Sequence, residues 1–557
     1  MRPRARILQN VGFTEYDVCI IGGGATGAGC ALDAQLRGLK TILLEGNDFG
    51  SATSSASTKL IHGGIRYLQE AVSELAPGHY KLVKQALRER RIMMRNAPNL
   101  VNTRQFAIPC FSLLEICYYL LGAKLYDWLS GDSSLSPTRF MKRAASLQTM
   151  PWLNQDQLKG SVLYSDGQFD DARYNLALVH SCSAAGGDVL NYARVTGFDF
   201  SSSGTLTTAV VQDGVSQEQL RVKAKAFVNA TGPFSDSIRK LADPDAPERL
   251  QLSRGVHILL PLPEHFGEAA LLIPKTEDGR VIFAIPWQGR LLVGTTESEA
   301  RLTDERKITR SEAEYLLSYL NRYLRKSFQL SDIVSAMVGL RPLIISGNLR
   351  DTKKIARDFE VEIGRSGLVS VLGGKWTIFR AMAEDAIDRV QRLISGHTTP
   401  SLTRTHRLNG SLPASDDEIA QTVRDLAAAR GISRETADHL VHKFGANAGR
   451  VLDLALDDST LLSPLVDGCP PIQGEVVYAI REEMAISIED ILSRRLGLQY
   501  FDWQSAMQAA PAAARILAQE LGWTSERTRQ ETESYTERIR QFLRAIVVDD
   551  VHTQKVS

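Results

Sequence analysis

The stretch YDVCIIGGGATGAGCALDAQLRGLKTILLE, residues 16–45, decides the fold of this chain. A short apolar run at residues 18–21 meets a glycine cluster, and an alanine-rich stretch at residues 25–36 follows it. Gly38 then precedes a second apolar run at residues 41–44. This order predicts a strand, a tight turn, a helix and a parallel strand. A Rossmann-type βαβ unit has the same order.

The glycine cluster has the spacing GxGxxG, formed by Gly22, Gly24 and Gly27. In a dinucleotide site the first glycine permits the tight turn, the second lets the backbone approach a pyrophosphate, and the third allows close helix packing. Glu45 ends the second strand at about the offset expected of a ribose-binding acid. An acid there would repel a 2′-phosphate, so the pattern favours FAD or NAD over NADP.

Two further segments favour FAD. A Ser/Thr/Gly loop, GSATSSASTKLIHGG at residues 50–64, follows the second strand and could cover the inner phosphates and ribityl chain. Near the end of the sheet region, Gly373, Gly374 and Lys375 follow an apolar run and precede a helical one. A helix N-terminus there could stabilise negative charge on a reduced flavin. The alternative is that both segments are ordinary polar turns.

Composition limits the class of protein. The chain has 557 residues, 43% of them hydrophobic, which excludes disorder and predicts two or three domains. Its net charge of +1 gives no global field for nucleic acid or anionic membrane. The six cysteines are scattered without a CxxC pair, so we expect no disulfide framework and no metal site. No signal peptide is visible, which predicts that the chain stays in the cytosol.

The division of the chain follows from these patterns. Strand-like pieces return to the cofactor sheet from distant parts of the sequence, and alternating runs between them predict a second, antiparallel sheet. Residues 1–395 would form this interleaved region, joined by a Ser/Thr/Gly/Pro-rich linker to a helical domain. The expected boundaries are FAD-binding parts 16–105, 158–252 and 340–395, substrate or cap parts 106–157 and 253–339, linker 396–415 and helical domain 416–545.

Several long motifs together resemble the FAD-dependent glycerol-3-phosphate dehydrogenases of the membrane-associated, quinone-linked kind. The motifs are STKLIHGGIRYLQ (57–69), NATGPFSD (229–236), LRPL (340–343), IARDFEV (355–361) and GGKWT (373–377). The resemblance runs over residues 16–393, and EVVYAIREEMAISIEDILSRR (475–495) is similar to the C-terminal domain of that family. It implies an α/β fold in which a Rossmann-type FAD-binding domain is interleaved with an antiparallel-sheet substrate domain, as in glycine and D-amino-acid oxidases, plus an all-α C-terminal domain.

Arginine and histidine are the side chains that this chemistry needs. The planar fork of arginine pairs phosphate oxygens bidentately, and histidine titrates near neutral pH. The resemblance implies that Arg341 and Arg357 bind phosphate and that His257 lines the active site. We expect His257 to be the base, with a purely structural histidine and His62 as the alternatives.

The complete set of expected site residues follows from the same motifs and loops. The expected catalytic residues are His257, Arg341 and Lys375. The expected substrate-binding residues are Arg66, Tyr67, His257, Arg341, Arg357 and Lys375. The expected cofactor-binding residues are Gly22, Gly24, Gly27, Glu45, Thr53, Ser54, Ser57, Lys59, Leu60, His62, Val195, Ala230, Gly232, Gly374, Lys375 and Thr377.

The implied function is oxidation of sn-glycerol 3-phosphate to dihydroxyacetone phosphate, with hydride passing to FAD and electrons to ubiquinone. One alternative is an oxidase relative that uses oxygen, and another is a non-catalytic flavin redox sensor. Three arginines within matched motifs argue against the sensor, which needs no phosphate site.

Membrane attachment is the remaining expectation. Residues 111–129 are apolar but interrupted by Glu115, Lys124 and Asp127, so they do not predict a spanning helix. Their aromatic residues, Tyr118, Tyr119, Tyr126 and Trp128, suit a membrane–water boundary, although a buried core helix is the alternative. The resemblance favours peripheral or monotopic contact at the cytoplasmic face of the inner membrane. The helical tail could pack on the FAD domain, pair two subunits as a homodimer or add membrane contact.

Overall fold

The structure is a computed structural model, and it describes residues 1–64, 77–131, 135–267, 269–304, 307–345, 359–412 and 415–547. The strands are β1 (Glu15–Ile21), β2 (Thr41–Leu44), β3 (Leu60–Ile61), β4 (Val101–Cys110), β5 (Arg139–Lys142), β6 (Gly160–Phe169), β7 (Asp188–Leu190), β8 (Ala193–Phe200), β9 (Leu206–Asp213), β10 (Gln219–Asn229), β11 (Leu250–Pro261), β12 (Ala270–Ile273), β13 (Ile282–Trp287), β14 (Arg290–Gly294), β15 (Ser298–Ala300), β16 (Ser335–Ile344), β17 (Phe359–Ile363) and β18 (Val369–Gly373). The helices are α1 (Arg4–Val11), α2 (Ala25–Leu36), α3 (Pro77–Asn96), α4 (Leu113–Ser130), α5 (Arg143–Thr149), α6 (Asp171–Ala184), α7 (Ser235–Ala242), α8 (Arg310–Asn321), α9 (Phe379–Ser395), α10 (Asp416–Arg430), α11 (Arg434–Phe444), α12 (Ala448–Asp453), α13 (Gln473–Glu483), α14 (Leu498–Phe501), α15 (Trp503–Leu521) and α16 (Ser525–Val547).

The first sheet has a parallel centre in the order β18-β10-β1-β2-β7. The end of β1, at Ile21, lies between Leu44 of β2 and Asn229 of β10. The carboxyl ends of these strands therefore meet at one edge, where open α/β sheets bind their ligands. The helix α2 packs against α9 and α6 beside this sheet, and the predicted βαβ unit is confirmed.

The second sheet has the order β15-β11-β14-β13-β12-β4-β6-β3, with β16 paired to β11 and β5 paired to β6. Its pairs are antiparallel except for the parallel contact between β12 and β4. The long strand β11 pairs with both β14 and β16. Side chains on one face of these three adjacent strands are therefore neighbours.

The boundaries between the two sheets differ from those expected. The strand β4 pairs with β6 over its full length, from Val101 with Phe169 to Cys110 with Gly160. Because this ladder belongs to the second sheet, residues 101–105 and 160–169 lie there, although the sequence grouped them with the FAD-binding parts. The strand β16 likewise runs on past residue 340 within the second sheet.

The helical domain packs against the second sheet. Val476, Trp503 and Leu517 share one buried cluster with Val256 and other residues of β11. The segment 475–495, quoted above for its similarity to the C-terminal domain, is not one continuous helix: α13 ends at Glu483, and a π-helical turn follows at Asp490–Arg495.

The connection expected as a linker follows the surface of the FAD-binding region. The side chain of Leu408 is buried in the first core, and its backbone N–H donates to the carbonyl of Asn96 at 2.9 Å. The backbone N–H of Asn409 donates to Ser181 Oγ at 2.8 Å. This segment is therefore packed in place by its own hydrogen bonds rather than being a free tether.

None of the helices within the described ranges has both the length and the apolar character to cross a membrane.

Candidate active site

The three fingerprint glycines form a cradle that side chains would fill. A Cβ on Gly22 would lie 2.6 Å from the carbonyl oxygen of Ala230, and one on Gly24 would lie 2.9 Å from Ser54 Oγ. A Cβ on Gly27 would lie 1.8 Å from the carbonyl oxygen of Gly22. Gly24 is also the N-cap of α2 and has no side chain of its own to cap the helix, and Ser54 Oγ accepts the backbone N–H of Ala25 at 3.0 Å. The first turn of α2 thus presents the partial positive charge that binds a phosphate.

Glu45 follows the end of β2 and faces the glycine turn. Its carboxylate accepts the backbone N–H of Gly23 at 2.6 Å and that of Asn47 at 2.8 Å. Burial raises the pKa of the carboxyl group above its ordinary value, and the two N–H donors act against that rise. Both oxygens lie at the carboxyl edge of the sheet, where a ribose hydroxyl could be recognised.

A cavity of about 370 Å³ begins at this cradle. Its volume lies in the range of small-molecule sites, roughly 300–1,000 Å³. The residues expected to bind the cofactor that do line it are Gly22, Gly24, Glu45, Thr53, Ser54, Val195, Ala230, Gly232, Gly374 and Lys375. It therefore joins the first βαβ unit to three distant segments of the chain.

The far end of the cavity is formed by the segment after β18. Gly373 and Gly374 have φ values of 69° and 83°, which favour glycine, and Lys375 precedes the short helical turn Trp376–Ile378 and then α9. Trp376 lines the cavity and donates from Nε1 to the carbonyl of Ser54 at 2.9 Å. That bond joins the two loops that the sequence singled out.

The other expected cofactor residues lie outside the cavity lining. Gly27 supports the glycine turn from beneath, and Leu60 is buried in a separate core cluster. Thr377 Oγ1 accepts the backbone N–H of His62 at 3.3 Å. Ser57 donates from Oγ to Asp171 at 2.7 Å, and Lys59 forms a buried ion pair with the same carboxylate. Because Lys59 is buried and paired with Asp171, its side chain holds the loop in place.

The second sheet carries His257 and Arg341 on one face. In the register of β11 with β16, Gly255 lies opposite Gly339, His257 opposite Met337, and Arg341 opposite Ser253. Residues two apart on a strand share a face. The guanidinium group of Arg341 lies over Gly255, where a Cβ would be only 2.3 Å from Nη2.

Threonine side chains and a close glycine hold this pair. His257 Nε2 lies 2.9 Å from Thr58 Oγ1, and a Cβ on Gly294 would lie 2.2 Å from the imidazole Cδ2. Arg341 donates from Nη2 to Thr295 Oγ1 at 2.8 Å. Pro342, the residue after Arg341, lines the cavity, whereas the side chains of His257 and Arg341 are not part of its lining.

His257 is uncharged near neutral pH. Burial, followed by the positive charges of Arg341 and Lys59, lowers the pKa of the imidazole to about 3. Among the described residues, Nδ1 of His257 has no hydrogen-bond partner. Because the imidazole is neutral, one of its ring nitrogens keeps a lone pair that can accept a proton.

Three expected residues fall outside the described parts of the chain: Arg66, Tyr67 and Arg357. The described residues contain no cluster of three or more His, Cys, Asp or Glu side chains arranged to hold a metal ion.

Comparison with known proteins gives the family. Residues 17–380 match the family described as FAD dependent oxidoreductase, and residues 401–528 match the C-terminal domain of alpha-glycerophosphate oxidase. A probable mitochondrial glycerol-3-phosphate dehydrogenase of Caenorhabditis elegans is 39% identical over 543 residues, which cover 95% of this chain and 74% of that protein. The chain belongs to the family of FAD-dependent glycerol-3-phosphate dehydrogenases.

Solved structures agree with this glycerol-3-phosphate dehydrogenase family and with its cofactor. The glycerol-3-phosphate dehydrogenase of Bacillus halodurans, solved in complex with FAD, superposes with a TM-score of 0.79 at 28% identity and covers 99% of both chains. The glycine oxidase of Geobacillus kaustophilus superposes with a TM-score of 0.51 over 72% of this chain, at 19% identity, which shows the fold alone. The expected fold class and the FAD cofactor are confirmed.

The residues that frame this dehydrogenase site were only partly visible in the sequence. Thr58 lies in a quoted motif but was not singled out, because a threonine between a serine and a lysine carries no signal of a histidine partner. Asp171 and Asp48 hold the cofactor loops through residues more than one hundred positions away. No local pattern marks such distant pairs.

Proposed function

We propose that this chain oxidises sn-glycerol 3-phosphate to dihydroxyacetone phosphate, using FAD, and passes the two electrons to a membrane quinone. The observation that carries the proposal is the pairing of His257 with Arg341 on one face of the second sheet, next to Pro342, which lines the nucleotide cavity. An arginine fork suits a phosphate monoester, and a neutral imidazole suits an alcohol proton.

The cavity suits FAD. The glycine cradle and the start of α2 would hold the pyrophosphate, Glu45 would hold a ribose, and Gly374 with Lys375 would face the ring system. When bound, FAD supplies the acceptor for the hydride that leaves C2 of the substrate.

Arg341 would bind the phosphate of the substrate. Its bonds to Thr295 and Thr296 fix the guanidinium plane in advance, so less conformational freedom is lost when a dianion arrives. The same positive charge lies close enough to lower the pKa of His257. A bound phosphate dianion would offset that charge and make the imidazole a stronger base in the complex.

His257 would take the proton from the C2 hydroxyl as the hydride leaves. The contact of Nε2 with Thr58 Oγ1 at 2.9 Å holds the imidazole ring in place, which supports this role. The hydride carries two electrons and one proton, and the base takes a second proton, so the two transfers account for the two electrons and two protons lost by a secondary alcohol.

The quinone acceptor and membrane contact are supported by the outer face of α4. Four of its large apolar side chains are mostly exposed: Leu113 74%, Leu114 84%, Leu121 73% and Trp128 69%. Contiguous exposed apolar residues on one helix suit insertion into a lipid interface. Tyr126, which the sequence grouped with the interfacial aromatics, is buried and donates to Asp166 at 2.7 Å. The proposed attachment is peripheral or monotopic, through α4.

The first experiment measures product and acceptor together. Holoenzyme should form dihydroxyacetone phosphate from sn-glycerol 3-phosphate with a soluble quinone analogue, and should form none from glycerol, which lacks the phosphate. Absence of product, with FAD bound and quinone present, contradicts the proposal. Peroxide formed in place of reduced quinone would support the oxidase alternative.

A second experiment tests the membrane surface by flotation with phospholipid vesicles. Leu121→Glu should weaken vesicle binding about ten- to a hundredfold, because it removes roughly 1.5–3 kcal/mol of apolar burial. Leu456→Glu is the matched control, since Leu456 is 71% exposed in the helical domain. Equal binding of both variants and the parent would remove α4 from the contact.

A further inference from the structure

The helical domain contacts the loops beside the cofactor cavity through residues 490–503, which we name the clamp segment. It contains the π-helical turn Asp490–Arg495, the helix α14 and the start of α15. It is anchored on the second sheet, where Ser335 Oγ donates to the carbonyl of Tyr500 at 2.8 Å and the N–H of Trp503 donates to the carbonyl of Val334 at 3.0 Å.

One end of the clamp segment is hydrogen-bonded to Asp48 in the loop after β2. Asp48 accepts from Arg494 Nε at 2.5 Å and from Arg495 Nη2 at 2.9 Å. Asp48 lies directly after Glu45, Gly46 and Asn47, all of which line the cavity.

A second connection reaches the same loop through Asp490. Its carboxylate accepts the hydroxyl of Tyr192 at 2.7 Å, and the backbone N–H of Tyr192 donates to the carbonyl of Asn47 at 2.7 Å. Two separate contacts from one turn of the helical domain therefore fix the backbone that presents Glu45.

The other end of the clamp segment contacts the 3-10 turn Thr53–Ser55 and the residues that follow it. The hydroxyl of Tyr500 lies 3.1 Å from Ser55 Oγ, and its ring centroid lies 5.0 Å from Lys59 Nζ. Lys59 Nζ also donates to the carbonyl of Ser55 at 2.8 Å. Thr53 and Ser54, immediately before, line the cavity.

The charged side chains around the contact of the clamp segment with Asp48 balance one another and are almost fully buried. Three carboxylates face three guanidinium groups, each at most 6% exposed: Asp48, Glu483, Asp490, Arg173, Arg494 and Arg495. Burial alone would raise the pKa of Asp48, but Arg495 and Arg494 lower it to about 2. Removing one member leaves an unpaired buried charge, so this geometry is held tightly.

We propose that the clamp segment positions the two FAD-binding loops, with Asp48 and Tyr500 as positioning residues, so that the helical domain acts in cofactor retention. The inference rests on the proposal that FAD occupies this cavity, and it extends it by giving the helical domain a role. The contacts fall on loops that line the cavity rather than on the cores of the strands, which supports positioning over simple packing.

The test measures the rate of FAD release from holoenzyme, followed by flavin fluorescence, together with the thermal midpoint. Asp48→Asn should release FAD about tenfold faster, the factor that 1.4 kcal/mol makes in an equilibrium constant. Glu475→Gln is the matched control, because Glu475 is an equally buried carboxylate of the helical domain, bonded to His439 and absent from the cavity lining. That control should lower the thermal midpoint and leave FAD release within about twofold.

A milder pair of variants keeps the test decisive if Asp48→Asn fails to fold. Tyr500→Phe removes only the hydroxyl at Ser55 and should speed FAD release about threefold, a loss smaller than one full hydrogen bond. Tyr319→Phe removes a hydroxyl on a buried tyrosine of α8 that accepts the backbone N–H of Glu277, outside the clamp segment, and should have no effect on release. Parent-like FAD release in Tyr500→Phe, or equal acceleration in each variant and its control, overturns the inference. Substrate turnover does not enter this assay, so a failure of the proposed reaction would be recognised separately.

Discussion

The proposed site has two parts that are built in different ways. We call the glycine turn with Glu45 its glycine end, and the pair His257 and Arg341 beside the cavity its histidine end. At the glycine end, Gly22, Gly24 and Glu45 come from one stretch of sequence. They act through the shape of the backbone, backbone N–H groups and the carboxylate of Glu45. At the histidine end, His257 and Arg341 come from different strands and depend on precise side-chain partners. The first construction suits recognition of a nucleotide, and the second suits selection of a substrate and its chemistry.

The largest expected effect separates the two ends by reaction rate. His257→Gln keeps an amide N–H that can donate to Thr58 but removes the titrating ring. Reduction of the flavin by sn-glycerol 3-phosphate, followed by stopped flow, should slow by about 10² to 10⁴. FAD content should stay at the parent level, because the glycine end is untouched.

The alternative histidine provides the control for that variant. His62→Gln should slow flavin reduction less than about tenfold, since a residue that only contacts the ring supplies no proton transfer. A near-normal rate in His257→Gln would rule out the base assignment, and a large loss in His62→Gln alone would transfer it to His62.

The next effect concerns substrate binding. Arg341→Ala should raise KM about ten- to a hundredfold, because charge-assisted hydrogen bonds are worth roughly 1.5–3 kcal/mol. Arg254→Ala is the control, since Arg254 lies on the strand of His257 but pairs with Glu312. Unchanged kinetics in Arg341→Ala would remove this residue from the phosphate site.

A pH effect on stability also belongs to the histidine end. The folded pKa of His257, about 3, lies below the ordinary value of about 6.5, so the unfolded chain binds the extra proton between these values. Stability from this group is complete above pH 6.5 and is lost as the pH falls toward 3. The expected gain from pH 5 to pH 7.5 is about 2 kcal/mol. Denaturant titrations of the parent and His257→Gln should differ by that amount, and parallel pH curves would contradict the assignment.

The smallest expected effect lies at the glycine end. Glu45→Gln should weaken FAD binding about tenfold, because a charged acceptor for ribose hydroxyls becomes a neutral one. Equilibrium titration of apoprotein with FAD measures this change, with the exposed Glu299→Gln as control. Should KM for the substrate change instead of FAD affinity, the division of labour between the two ends would be wrong.

This contrast also explains what could be predicted from the sequence. The bounds of α2 and β2 match the pattern because strand, glycine turn and helix follow one another locally. Residues 101–105 and 160–169 were grouped with the FAD-binding parts although they pair in the second sheet, because partners as distant in the sequence as Val101 and Phe169 leave no periodic signal. The same limit hid Thr58 beside His257 and Asp48 beside Arg495.

The helical domain shows this limit most clearly. The sequence left three roles open for it, and its apolar faces prove to pack on the second sheet. The arginines of the turn Asp490–Arg495 reach the loop after β2, more than four hundred residues earlier. A charged pair of this kind is set by tertiary packing, so neither residue alone indicates its partner.

The most direct measurement is an anaerobic titration of purified holoenzyme with sn-glycerol 3-phosphate, followed by the visible absorbance of the flavin. The account predicts that the substrate bleaches the flavin band, with one dihydroxyacetone phosphate formed for each flavin reduced, and that Arg341→Ala needs far more substrate. A flavin that dithionite bleaches but glycerol 3-phosphate at high concentration does not would contradict the account.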